Sequence, residues 1–116
     1  MCRPHLGTYV EVDISADASD DTLIDWSLSI FSEIQRIEKM MSFHELESEL
    51  SHINKNALHS PCPISPEMNE VLQLALLLSN TTNGMYDISI AAELVKLGSL
   101  PEHNFNSNST ANWHDI

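Results

Sequence analysis

Apolar and polar residues alternate from Thr8 to Ile14 (TYVEVDI), in a run rich in β-formers. Period-two alternation predicts a half-buried strand there. Ser15 to Asp21 is small and acidic and reads as a turn into a helix, with Asp20 or Asp21 as the cap. The period then changes. From Thr22 to Met41 the apolar residues Leu23, Ile24, Trp26, Leu28, Ile30, Phe31, Ile34, Ile37, Met40 and Met41 recur mainly at spacings of three and four. That spacing predicts a long amphipathic helix with a wide buried face.

Ser48 to Lys55 reads as a short helix with Leu50 and Ile53 on its inner side, and Pro61, Pro63 and Pro66 punctuate the next stretch. Ser65-Pro66-Glu67 is a helix start, with serine as N-cap, proline at the first helical position and an acid in the first turn. This helix runs through Val71, Leu72 and Leu74–Leu78 to about Thr81, where Asn83-Gly84 stops it and Gly84 supplies a left-handed C-cap. Met85 to Ile90 alternates briefly and is a second strand candidate, and Ala91 to Leu97 is helical in pattern. Residues 99–112 read as a polar loop, dominated from Asn104 by Asn and Ser, and Trp113-His114-Asp115-Ile116 has the look of the start of another element. No internal repeat is present.

The elements describe an α+β chain of one domain, residues 1–116, that is short of strands. One strand leaves backbone donors and acceptors unpaired. The expectation is that strands pair between copies in a homo-oligomer, or that the chain is part of a larger fold.

Charge narrows the function classes. Seventeen acidic and five basic side chains give a net charge of −12, which argues against nucleic acid and against an anionic membrane surface as partners. No apolar run approaches the roughly 18 residues of a membrane span, and no basic-then-apolar leader opens the chain, so the expected location is cytoplasmic. Cys2 and Cys62 lack CxxC spacing; two free thiols are the simplest reading, with one disulfide left open.

Candidate chemistry is sparse. His5, His44, His52, His59, His103 and His114 form no HxxxH or HExxH pattern, so no metal ligand is assigned. There is no GxSxG, and Cys62 lies between two prolines without a positive neighbour, which disfavours a nucleophilic thiol. Gly7, Gly84 and Gly98 are too far apart for a phosphate loop. Tyr86 and Asp87 form a more suggestive pair: a ring to lie over a flat heterocycle and a carboxylate to accept from ribose or adenine donors. The plainer alternative is a cross-strand tyrosine with Asp87 as a helix N-cap. The richest stretch is Met41-Ser-Phe-His-Glu-Leu-Glu-Ser-Glu-Leu-Ser-His-Ile-Asn54. It places Phe43 and His44 in a turn, and Ser48 and Glu49 at a helix start.

Arg3-Pro-His-Leu-Gly-Thr8 before a strand, the Met41–Asn54 stretch, Val71 to Asp87, Ala91 to Leu97 and Ala111-Asn-Trp-His-Asp-Ile116 together resemble the ApbE family, the FAD:protein FMN transferases. The matching family patterns are RPxMGT, MSxYxPxSELSxLN, VLxxALxLSxxTxGxFD, GPLVxLWG and GWRDI, in that order. The resemblance implies a T-fold-like α+β architecture, of which this chain holds the N-terminal part. It implies FAD as the FMN donor, Mg²⁺ as the assisting ion, and a threonine of a target flavoprotein as acceptor. By motif, the flavin-contacting positions are Leu6, His44, Met85, Tyr86 and Asp87. Leu6 stands where methionine is usual, and His44 where a tyrosine often stacks. The family's LxLGGIAKGYAVD, GGD and DxxxT segments have no counterpart here, so the chain alone is expected to lack transfer activity. A non-catalytic flavin-binding or oligomerising module is the alternative.

Overall fold

The computed structural model describes residues 1–57, 59–102 and 112–116. Except for Asn112, the Asn- and Ser-rich segment lies outside the described residues. The chain divides into two compact units, Met1–Ser42 and Phe43–Ile116.

The first unit is a β-hairpin with a long helix. Strand β1 (Cys2–His5) pairs antiparallel with β2 (Thr8–Glu11), in the register Cys2 to Glu11, Arg3 to Val10, Pro4 to Tyr9 and His5 to Thr8. The strand expected over 8–14 therefore has a partner within the chain, formed by residues that no alternation marks. Pro4 is tolerated for a geometric reason. Met1 and Val12 exchange both backbone hydrogen bonds, at 2.7 and 2.8 Å. Bonded and non-bonded pairs alternate along an antiparallel ladder, so Arg3–Val10 and His5–Thr8 are bonded pairs. Pro4 falls on a non-bonded one, where no donor is required.

Two residues close the hairpin, Leu6 (φ 56°) and Gly7 (φ 71°). Positive φ at both positions is the I′-type geometry that suits the strand twist. Glycine adopts it freely; leucine does so at a cost of about 1–2 kcal/mol.

Helix α1 (Asp20–Met41) has Ser19 as its N-cap, whose Oγ accepts from the Thr22 N–H at 3.3 Å. The cap is thus one residue earlier than Asp20 or Asp21. Those two acids sit in the first turn, where they still face the positive end of the helix dipole. The C-terminus at Met41 agrees with the apolar pattern. Phe31, 2% exposed, is the buried apolar centre of this unit. The His5 ring stacks on it at 5.7 Å, and the Arg3 guanidinium lies 5.0 Å from its centroid, so one face of β1 covers it with a ring and a cation.

The second unit is helical: α2 (Glu49–Asn56), α3 (Pro66–Thr81), α4 (Ala91–Lys96) and a single 3₁₀ turn at Trp113–Asp115. Ser48 caps α2, accepting from Ser51 N–H at 3.0 Å. Ser65 caps α3, accepting from Met68 N–H at 3.2 Å, with Pro66 at the first helical position. Met68, Ala75 and Ser79 are the buried positions of α3, and Leu72 is half-buried between them. The 68-72-75-79 spacing is one helical face. Val71, Leu74, Leu77 and Leu78 remain exposed.

The helix-stop at α3 works slightly differently from the glycine cap expected. Asn83 (φ 51°) takes the first left-handed position, Gly84 (φ 78°) follows, and Gly84 N–H reaches back to the Ser79 carbonyl at 2.8 Å. That six-to-one bond is the Schellman closure, with Asn in the role usually given to Gly. Gly84 is required for a second reason: a Cβ there would lie 3.1 Å from Trp113 Nε1.

Met85–Ile90 is a run of turns, not a strand. Two left-handed residues redirect the chain just before it. Thr82 O then accepts from Met85 N–H at 3.2 Å, and Asp87 Oδ1 accepts from Ser89 N–H at 2.8 Å, so local partners take donors a ladder would need. No described helix is long and apolar enough to cross a membrane.

A forked hydrogen bond ties the first residue of α2 to the N-cap of α3. Glu49 accepts from Ser65 N–H through Oε1 at 2.6 Å and from Ser65 Oγ–H through Oε2 at 2.8 Å. Ser65→Ala removes both the cap and one half of this fork, and is expected to cost about 1–2 kcal/mol in urea unfolding. Glu49→Gln combined with Ser65→Ala should cost less than the sum of the single changes, since the two groups share one interaction. Gly84→Ala, which meets both a positive φ and the Trp113 ring, should cost about 1–3 kcal/mol in the same assay.

Candidate functional site

In the first unit the residue of interest is Leu6. Its side chain is 56% exposed at the tip of the hairpin, so burial does not hold it. Its backbone is held instead. Leu6 N–H donates to Glu38 Oε1 at 2.6 Å, and His5 Nδ1 lies 2.8 Å from Glu38 Oε2. An ionised carboxylate only accepts, so Nδ1 carries the hydrogen of that second bond. Glu38 thereby fixes two consecutive residues, the last of β1 and the first of the loop. Beside them is a shallow hollow of about 330 Å³, lined by Pro4, His5, Gly7, Thr8, Tyr9 and Glu38. The His5 hydrogen bond, then the Leu6 N–H, hold the Glu38 carboxyl below its ordinary value of 4.5.

In the second unit His44 is exposed, just before a turn that is tied down. Ser48 N–H donates to Glu45 O at 3.1 Å, and Ser51 Oγ–H donates to the same carbonyl at 2.7 Å. Ser48 and Glu49 of the SEL motif thus act through backbone geometry: one caps α2, the other locks the start of α3.

Met85, Tyr86 and Asp87 follow the left-handed exit from α3. Met85 is 91% exposed and Tyr86 45%. Tyr86 N–H donates to Thr82 Oγ1 at 3.0 Å, and Thr82 Oγ1 in turn donates to Leu78 O at 2.7 Å, so the last turn of α3 fixes the backbone that displays both side chains. Asp87 Oδ1 accepts from Ser89 N–H and from Ser89 Oγ–H, at 2.8 and 2.6 Å, closing an Asx turn. Asp87 is not a helix N-cap; Ile90 holds that position in α4 and makes no side-chain cap. Asp87 Oδ2 has no hydrogen-bond partner among the described residues.

A profile of the ApbE family matches residues 6–113. The chain belongs to the ApbE family. The match runs from the hairpin loop to Trp113 and contains Leu6, His44, Met85, Tyr86 and Asp87. No curated protein and no solved structure matches the chain. Membership places it among flavin transferase-related proteins.

Within the second unit, Met85 and Tyr86 are exposed apolar and aromatic side chains next to the Asp87 carboxylate, a set whose chemistry fits a flat heterocycle. Magnesium is different: among the described residues no three His, Cys, Asp or Glu side chains group as an ion would need.

Two supporting residues of this ApbE chain carry no mark in the sequence. Glu38 is 32 residues from Leu6, and nothing in its helical spacing distinguishes it from the other acids of α1. Thr82 sits in a TTNG stop signal, where a hydroxyl able to hold the next turn is legible as a helix end and not as a support for Tyr86.

The Glu38 contacts set a pH dependence. A folded-state value below 4.5 means that the folded chain takes up this proton later than the unfolded one. The stabilisation is present above 4.5 and is lost as pH falls through the lowered value. Melting temperatures of wild type and Glu38→Gln should differ most above that window and converge below it.

Proposed function

We propose that this ApbE-family chain supplies the FAD-binding step for the transfer of FMN to a threonine of a target flavoprotein, and that it does not complete the transfer by itself. In that reaction the pyrophosphate bond of FAD breaks, the FMN phosphorus forms an ester with the threonine Oγ, AMP leaves, and the threonine proton passes to solvent. The motif resemblance assigns flavin contact to Leu6, His44, Met85 and Tyr86, each within its own unit, and gives Asp87 the role of accepting from a ribose or adenine donor. The observation that carries the reading is that one family match, residues 6–113, contains all five positions. Exposure of Leu6, Met85 and Tyr86 on hydrogen-bonded turns supports it.

Titration with FAD, followed by flavin fluorescence, tests the binding step. Quenching is expected to saturate, and His44→Ala and Tyr86→Ala should each weaken affinity by about two- to tenfold, the range of a stacked aromatic contact. Absence of quenching at high micromolar FAD overturns the reading. Incubation with FAD, Mg²⁺ and a threonine-bearing flavinylation-motif substrate tests transfer, read as covalent FMN by mass. FAD binding without that mass gain assigns the chain to flavin holding alone.

A further inference from the structure

We propose that Glu38 is a positioning residue for flavin binding, which fixes the Leu6–Gly7 turn so that the Leu6 side chain is presented to the ring system. This rests on the flavin reading above and adds a residue that no motif marks.

The backbone at Leu6 is unusual. Leu6 has φ 56°, a conformation that leucine avoids and that hairpin loops normally fill with Asn, Asp or Gly. Residues persist in such conformations when their surroundings over-determine them. Here the side chain does not do so, because it is 56% exposed. The Leu6 N–H does: among the described residues its hydrogen bond is the 2.6 Å contact to Glu38 Oε1, which is short and charge-assisted.

The other carboxylate oxygen makes the anchor rigid. Oε2 binds His5 Nδ1 at 2.8 Å, and the His5 ring stacks on Phe31, the buried centre of the unit. The turn is therefore referred through Glu38 and His5 to the helix that carries both Phe31 and Glu38. A glycine or asparagine at position 6 would form the hairpin at lower cost. Leucine costs conformational energy there and holds an apolar side chain, 56% exposed, out at the tip of the hairpin. That combination of an exposed apolar residue, a disfavoured backbone and a dedicated carboxylate is what a fixed ligand contact requires.

Glu38 could instead merely stitch the hairpin to α1. The two roles separate in the affinity of the folded protein for FAD. Loss of a stitch lowers melting temperature and leaves FAD affinity intact; loss of a positioning residue weakens FAD binding even in protein that is fully folded by circular dichroism. Glu38→Ala is expected to weaken FAD binding about tenfold, and Glu38→Gln, whose amide oxygen still accepts from Leu6 N–H, to stay within about threefold of wild type. The Leu6 amide proton resonance, read in ligand-free protein, should shift and exchange faster in Glu38→Ala and stay near its wild-type position in Glu38→Gln. Glu33→Ala, which removes a carboxylate paired with Arg36 elsewhere on α1, is the control and should leave FAD affinity unchanged. If Glu38→Ala does not fold, Glu38→Asp carries the test: one methylene shorter, it withdraws from the Leu6 N–H and should weaken binding about fivefold.

Wild-type affinity for FAD with equal affinity in the folded Ala or Asp variant overturns the positioning role and leaves the flavin reading standing. No FAD binding by wild type overturns both.

Discussion

A glutamate carboxylate that spans one backbone N–H and one neighbouring side chain fixes the geometry of each unit. Glu38 does this for Leu6 and His5, and Glu49 does it for the two donors of Ser65. In both cases the two oxygens take separate donors, which sets direction as well as distance. The device suits a chain whose buried apolar residues are Phe31, Met68, Ala75 and Ala92 among those described. Two of those four are alanines, so packing alone gives little directional restraint, and charge-assisted hydrogen bonds supply what close packing would provide in a larger core.

The helices follow from periodicity and caps because both are local. Ser48, Ser65-Pro66 and the stop after Thr81 each act within four residues, and the structure places those boundaries where the residues indicate. The failures are equally physical. Strand β1 carries a proline, a mark against strand that applies only where the N–H is needed, and the alternation of the ladder puts Pro4 where it is not. Met85–Ile90 has strand-like alternation, yet Asn83 and Gly84 turn the chain before it and local hydrogen bonds take up its donors. The N-cap of α1 falls to Ser19 because a serine directly before two acids leaves both acids free for the first turn.

The candidate site is legible to a different depth. Leu6, His44, Met85, Tyr86 and Asp87 are what the resemblance to the ApbE motifs implies, and the family match spans all of them. What holds them in place emerges only in the folded chain. Glu38 acts across 32 residues, and Glu49 across 16. Contacts of that range carry no period and no neighbouring signal, so acids of α1 and α2 look alike until the chain is folded.

The two display sites share a logic that neither shows alone. Leu6 lies within a left-handed turn, and Met85 and Tyr86 directly follow one. In each case a polar contact to the backbone, from Glu38 or from Thr82 Oγ1, does the holding, and the side chains stay exposed. An exposed apolar side chain contributes little to folding, and such residues are ordinary on a protein surface. Leu6 itself carries the costly backbone conformation, whereas before Met85 and Tyr86 the left-handed positions fall to Asn83 and Gly84, which adopt them at little cost. The apolar surface held out at these two turns is where the flavin contacts of this ApbE chain are proposed.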